Sequence, residues 1–376
     1  MKMRAAVLRA CGAPQPFATS KPISIEEVEL DPPGEGEVLV KVGGAGLCHS
    51  DLSLINGDRP RPTPIVLGHE GAGEIVELGA GVHDVKVGDH VCFTFNVSCG
   101  RCRRCLEGRP YICERSIAPR SAGQLLSGKH RLHHEGKPVN HQSGVSCYAE
   151  YAVVDRGSVV VIDPSLPLDL AALFGCAVVT GVGAVVNTGR IEPGSTVAVV
   201  GLGGVGLSGL LGAVLAGAGR IVAIDLSDDK LGLARQLGAT DTVNAKDADH
   251  VQQVRDLTNG GVDYAFDLAG TIKSMETAYL VTRWGGTTVT AGLSPISADF
   301  SFKQSSIVSE EKTIKGSYMG SCVPVRDIPR FISLYQQGKL PVDRMMSKRI
   351  GFDELNEGFD RLQDVATVRQ VLVPHG

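Results

Sequence analysis

The hydrophobic positions of this 376-residue chain keep two different rhythms. In the N-terminal part, short stretches alternate or are rich in β-branched residues: Ile23 to Leu30, Glu37 to Val42, Gly73 to Leu78, His90 to Phe95 and Tyr148 to Val154, with Gly and Pro turns between them. Patterning of that kind predicts an irregular, mostly antiparallel β domain, with Met1 to Arg9 as its first strand. From Ser195 the pattern changes to strand Thr196–Val200, a helix through Gly219, strand Ile221–Asp225 and a helix from Asp228 to Leu237. Apolar strands recur at Val262 to Leu268, Thr287 to Ala291 and Thr313 to Tyr318. This alternation predicts an α/β unit, a doubly wound parallel sheet with helices on both faces. The tail, Val325 to Gly338 and Phe352 to Leu362, reads as amphipathic helices around a short strand and is expected to pack back on the first domain.

The length alone calls for two domains, since one hydrophobic core seldom serves so long a chain. A formal net charge of -4, with 21% charged and 43% apolar residues, offers no attraction for nucleic acid or an acidic membrane surface. The run Val197 to Gly219 holds no charged residue, yet eight of its positions are glycine, so it breaks into strand, turn and helix rather than spanning a membrane. The apolar stretch at the N-terminus is interrupted by Arg9 before a signal-peptide core forms.

Chemistry enters with the cysteines. Cys99, Cys102, Cys105 and Cys113 lie within 15 residues, a spacing that lets one loop wrap four thiolates around a tetrahedral ion. A closed structural zinc site is the leading reading, and an iron–sulfur cluster is the alternative that ligand type does not exclude. Cys48, His69 and Cys176 are dispersed, but supply the three protein ligands of an open catalytic zinc site; taken singly, each equally suits core packing. Reduced thiolates holding metal fit a cytoplasmic chain better than a disulfide framework.

Gly201-Leu-Gly203-Gly204-Val205-Gly206 follows a strand and opens a helix, and Asp225 ends the next strand 19 residues after Gly206. In that context the turn reads as a dinucleotide site, with pyrophosphate on the helix N-terminus and Asp225 accepting from the ribose hydroxyls. A carboxylate there repels a 2′-phosphate, so NAD is favoured over NADP; Lys230 is a candidate contact for the adenosine ribose, with a solvated helix lysine as the alternative reading. The segment Glu114 to Ser146, with Lys129-His-Arg-Leu-His-His134 and His141, is expected to be a solvated basic loop, because its spacing fits no tight ligand cage.

Gly46-Leu-Cys48-His49-Ser50-Asp51, Gly68-His69-Glu70-Gly71-Ala-Gly73, the four-cysteine loop, Phe174-Gly-Cys176 with Thr180-Gly181, and the Gly201 turn follow one another in an order that resembles zinc-dependent medium-chain alcohol dehydrogenases, in the branch of liver-type and bacterial aryl alcohol enzymes. The resemblance implies a GroES-like catalytic domain over residues 1–177, a Rossmann domain over 178–319 and a return to the catalytic domain over 320–376. It implies Cys48, His69 and Cys176 on catalytic zinc, Ser50 beside the substrate oxygen, and Asp51 and Glu70 near the metal. His49 and Arg369 would neutralise the cofactor pyrophosphate, and Thr180 and Val205 would line the cofactor. Phe95 and Leu293 stand where the family shapes its apolar pocket. The chain departs from the family in having Ser53 where a relay histidine often stands. It also has Ile117 where enzymes of glutathione adducts place an arginine, although Arg115 and Arg120 flank it. The implied activity is reversible oxidation of a primary alcohol by NAD, with an S-(hydroxymethyl)thiol dehydrogenase and a non-catalytic nucleotide-binding homologue as alternatives. The long segment after the fourth cysteine resembles the lobe loop of dimeric enzymes, so a homodimer is expected, with a homotetramer as the alternative.

Overall fold

The computed structural model describes residues 1–362 and 367–376. By internal contacts the chain divides into two compact units, Met1–Cys176 with Val323–Ser333 and Met346–Gly376, and Ala177–Cys322 with Leu334–Met345.

The first unit contains β1 (Lys2–Leu8), β2 (Ile23–Leu30), β3 (Glu37–Gly46), β4 (Ile65–Val66), β5 (Gly71–Leu78), β6 (His90–Phe93), β7 (Leu132–His134), β8 (Lys137–His141), β9 (Tyr151–Asp155) and β10 (Val159–Val161). A closed barrel runs β1-β2-β7-β8-β4, and a second sheet takes the order β10-β6-β5-β3. Alternation explains the pairing: β3 buries Val38, Val40 and Val42 among Leu47, Phe93, Tyr148 and Phe359, so its register against β5 is fixed by which face goes inside. The segment read as a solvated basic loop is corrected here. It supplies β7 and β8, and His141 is buried, its ring nitrogen accepting from the Arg131 N–H at 3.0 Å. Burial pushes its pKa down to about 3. A hairpin that closes a barrel buries one residue in two whatever its charge pattern suggests.

The second unit holds β11 (Thr196–Val200), β12 (Arg220–Asp225), β13 (Asp241–Asn244), β14 (Val262–Asp267), β15 (Thr282–Thr290) and β16 (Thr313–Gly316), all parallel, in the order β13-β12-β11-β14-β15-β16. Ala198, Val222, Ile224 and Ala265 form part of its core, which is why these strands read as continuous apolar runs. The helix after β11 spans Gly204–Leu215 and stops short of Gly219. Among the described residues no single helix is long and apolar enough to cross a membrane.

The tail carries two strands rather than one. β17 (Met346–Ile350) and β18 (Arg369–Leu372) pair in parallel, and β18 joins β3. Leu334–Met345 lies with the second unit, where Arg344 donates to the Gln236 carbonyl at 3.1 Å.

Candidate active site

Strand register assembles the site. Ala45 of β3 stands opposite both Gly71 of β5 and Leu372 of β18, so each chain followed a few residues past that point delivers Cys48, His69 with Glu70, and Arg369 to one place. Backbone bonds lock the junction: Gly46 N–H donates to the Glu70 carbonyl at 2.8 Å and Leu47 N–H to the Gln370 carbonyl at 2.9 Å. Cys176 follows the 3₁₀ stretch Ala172–Gly175, which runs so close to β6 that a Cβ on Gly175 would lie 2.4 Å from the Phe93 carbonyl oxygen.

Ligand atoms of Cys48, His69, Glu70 and Cys176 all lie within 4.8 Å of one another, and all four residues are buried. That is the size of cluster one ion with bonds of about 2.0–2.3 Å can gather. The neighbouring Cys176 sulfur and the His69 ring hold the Cys48 thiol well below the ordinary range, while Cys48 and burial hold Cys176 well above it. Two buried sulfurs so close together are what a divalent cation converts into two thiolates.

Behind His69 sits Asp51, fully buried. Its Oδ1 accepts from His69 Nδ1 at 2.8 Å and from the Gln142 amide at 2.5 Å; its Oδ2 accepts from the Tyr148 hydroxyl at 2.8 Å and the Cys48 N–H at 3.3 Å. Burial opposes charge on His69, but the Asp51 carboxylate outweighs it and raises the imidazole pKa well above its usual value. With Nδ1 committed to Asp51, Nε2 is the nitrogen left for a metal.

Glu70 pairs with Arg369 through Oε1, while its buried Oε2 has no hydrogen-bond partner. Burial pushes this carboxyl up to about 7, against the pull of Arg369. An orphaned buried carboxylate oxygen on a residue clustered with two sulfurs and an imidazole is accounted for by a cation, so the donor set fits zinc.

The other cluster, Cys99, Cys102, Cys105 and Cys113, also has its sulfurs within 4.8 Å of one another. Cys102 and Cys105 sulfurs are 3.5 Å apart, too far for a disulfide. Backbone N–H groups point at the sulfurs, Cys102 at Cys99 (3.3 Å) and Cys99 at Cys113 (3.4 Å), as expected around thiolates that share an ion.

In the second unit the strand order reverses between β11 and β14, the point where open α/β sheets take their ligands. Gly201 has φ +88°, and a Cβ on Gly206 would lie 1.7 Å from the Gly201 carbonyl oxygen, so neither position accepts a side chain. A Cβ on Gly203, which caps the helix, would meet nothing within 4 Å, leaving the helix N-terminus open to a phosphate. Asp225 accepts from Leu202 N–H at 2.6 Å and Ser227 N–H at 3.0 Å, tying the end of β12 to the turn.

Comparison with known proteins fits this geometry. Residues 34–164 match the alcohol dehydrogenase GroES-like domain family, and residues 204–337 match the zinc-binding dehydrogenase family. An alcohol dehydrogenase zinc-binding domain protein from Burkholderia ambifaria is 33% identical over 100% of this chain and 99% of its own, with a TM-score of 0.93. The chain belongs to the zinc-dependent medium-chain alcohol dehydrogenases. Benzyl alcohol dehydrogenase from Acinetobacter calcoaceticus is 32% identical to this dehydrogenase over 100% of this chain and 99% of its own, with a TM-score of 0.92. A protein from Sinorhizobium meliloti 1021, solved bound to NADP, is 29% identical over 100% of both chains, with a TM-score of 0.81.

Other residues of the dehydrogenase lie as follows. His49 and Ser50 are exposed at the start of the helix His49–Ile55, which Cys48 caps. Ser53 donates to the His49 carbonyl at 2.9 Å, so its hydroxyl proton is already committed. Arg369, expected at the pyrophosphate, is buried against Glu70. Thr180 is buried within the helix Ala177–Gly183, Val205 lies in the first turn of the helix that Gly203 caps, and Lys230 is half-buried. The Phe95 ring stands edge-on to His69 at 5.8 Å, and Leu293 is exposed. Gln142 and Tyr148, which hold Asp51, went unseen in the sequence, because a single Gln or Tyr carries no spacing signal.

Proposed function

We propose that this dehydrogenase is NAD-dependent and interconverts a primary alkyl or aryl alcohol and its aldehyde. The carrying observation is the buried convergence of Cys48, His69 and Cys176, with Asp51 fixing the imidazole. In this reading those three residues hold catalytic zinc, and the four-cysteine loop holds a structural one. When bound, zinc supplies Lewis acidity that lowers the pKa of an alcohol hydroxyl, and the nicotinamide supplies a hydride acceptor. Asp51 keeps His69 in the tautomer that leaves Nε2 free, and Arg369 offsets the charge of Glu70. Ser50, exposed two residues after Cys48, accepts the alcohol proton and passes it outward, with His49 or water completing the path in place of a relay histidine at Ser53.

Asp225, the acidic residue that ends β12 and is tied to the glycine turn, supports NAD, since a carboxylate there would repel a 2′-phosphate; the NADP-bound relative makes this a point to test. Phe95 beside His69, with the benzyl alcohol dehydrogenase among the relatives, supports an aryl substrate. β16 ends the parallel sheet among the described residues and follows a segment with Ile296, Phe302 and Val308 exposed, which supports a homodimer.

The test is a panel of primary alcohols from ethanol to benzyl alcohol, with NAD and NADP, followed by NADH or NADPH absorbance. Benzyl alcohol with NAD is expected to turn over fastest. Preference for NADP would overturn the cofactor reading. Turnover of formaldehyde only in the presence of a thiol would replace the substrate reading.

A further inference from the structure

Asn96 is 3% exposed and lies next to Phe95, on the segment that leads into the four-cysteine loop. Its amide nitrogen donates to the Pro110 carbonyl at 3.3 Å and the Tyr111 carbonyl at 2.9 Å, both within the stretch from Cys105 to Cys113. Its oxygen accepts from Arg120 at 2.7 Å, and the Ser116 hydroxyl lies 3.2 Å from it and 2.8 Å from the Cys113 carbonyl. Two carbonyls on one side and a guanidinium on the other leave only one orientation of the amide satisfied. At the ends of the segment, Thr94 N–H donates to the Ser158 carbonyl at 2.7 Å and Ser98 N–H to the Gly157 carbonyl at 3.3 Å. The stretch Thr94–Ser98 is thus held at both ends and, through Asn96, in its middle. Phe95 leaves that clamp to meet His69 edge-on at 5.8 Å.

We infer that Asn96 is a positioning residue that couples the four-cysteine loop to the substrate pocket, so that the fold of that loop sets where Phe95 stands. The loop has few apolar side chains of its own, and its shape depends on the ion it folds around. Asn96 is a side chain through which that shape reaches Phe95, the ring beside His69. Arg120 is part of the same strut, with one nitrogen engaged by Asn96.

This inference rests on the proposed function, and the experiment separates the two. The probes are benzyl alcohol in turnover and 1,10-phenanthroline, an aromatic chelator, in direct binding to the zinc-loaded enzyme. Asn96→Asp keeps the shape and the contact with Arg120 but cannot donate to Pro110 and Tyr111; Asn96→Ala removes all of it. Glu107→Ala, which breaks the loop's exposed pairs with Arg103 and Arg104 and leaves the Asn96 bonds in place, serves as the control for a surface change in the loop. Both Asn96 variants are expected to raise KM for benzyl alcohol and weaken phenanthroline binding roughly tenfold, the scale on which apolar pockets discriminate. We expect kcat to stay within about twofold, two zinc ions to be retained per chain, and Glu107→Ala to change neither reading. Wild-type protein that binds no zinc or phenanthroline would refute the functional reading instead. Wild-type behaviour of Asn96→Asp and Asn96→Ala in both assays would overturn the coupling. Should either variant fail to fold, Arg120→Met carries the test, with the same KM shift expected and its absence counting against the coupling.

Discussion

Replacing Asp51 by Asn tests how the catalytic cluster is held. The carboxylate presents two acceptor oxygens to four donors: His69 Nδ1 and the Gln142 amide on Oδ1, the Tyr148 hydroxyl and the Cys48 N–H on Oδ2. Asn offers one oxygen and one NH₂ in the same space, so whichever way it turns, two donors face a donor. A buried donor left without an acceptor costs about 1–3 kcal/mol. Tyr148 can still use the Gly46 carbonyl, 2.8 Å from its hydroxyl, so one of the two losses is cushioned. A net destabilisation of about 2–3 kcal/mol follows, within reach of urea unfolding. The sharper effect falls on the metal. An imidazole that loses its carboxylate partner binds zinc about 10–100-fold more weakly. Competition with a chromophoric chelator should therefore show one of two zinc ions released early in Asp51→Asn, the four-cysteine ion being unaffected. Zinc affinity unchanged within about twofold would refute the view that Asp51 orients His69.

Two further outcomes are expected. Burial, with Glu37 nearby, pushes the Asp155 carboxyl up to about 6 from 3.8. Its folded-state pKa is raised, so the stability linked to it is fully present below pH 4 and is lost as pH rises through 6, by about 3 kcal/mol. Asp155→Asn keeps an acceptor for Leu126 N–H, bonded at 2.8 Å, and should gain stability over the wild type on going from pH 4 to pH 7; parallel unfolding free energies across that range would count against it. On the proposed NAD reading, Asp225→Ser removes a charge that would repel a 2′-phosphate and one tie to Leu202 N–H, so KM for NAD should rise and the NAD-to-NADP ratio of kcat/KM fall about tenfold or more; an unchanged ratio would contradict the proposal.

How far the sequence speaks depends on how local the signal is. The strand Thr196–Val200 and the turn Gly201–Gly206 are legible because a buried parallel strand and a phosphate-ready helix start are written in consecutive residues. The four-cysteine loop is legible for the same reason. Cys48, His69 and Cys176 are not, since what unites them is the β3–β5 register at Ala45 and Gly71 and the approach of Gly175 to β6; only likeness to a family assembled them beforehand. The hairpin of β7 and β8 was hidden under a run of basic residues whose charge suggested solvent, although barrel closure buries His141 among them. Arg369 lies far from Glu70 in sequence, and nothing short of the β18–β3 pairing reveals that they meet.

The most direct measurement is metal content by elemental analysis on purified wild type and on Cys176→Ser, with alcohol oxidation followed on the same samples. The account predicts two zinc ions per chain in active wild type, and one remaining zinc with activity lost in the variant. Active wild-type protein without zinc, or a variant that keeps both ions and full turnover, would contradict it.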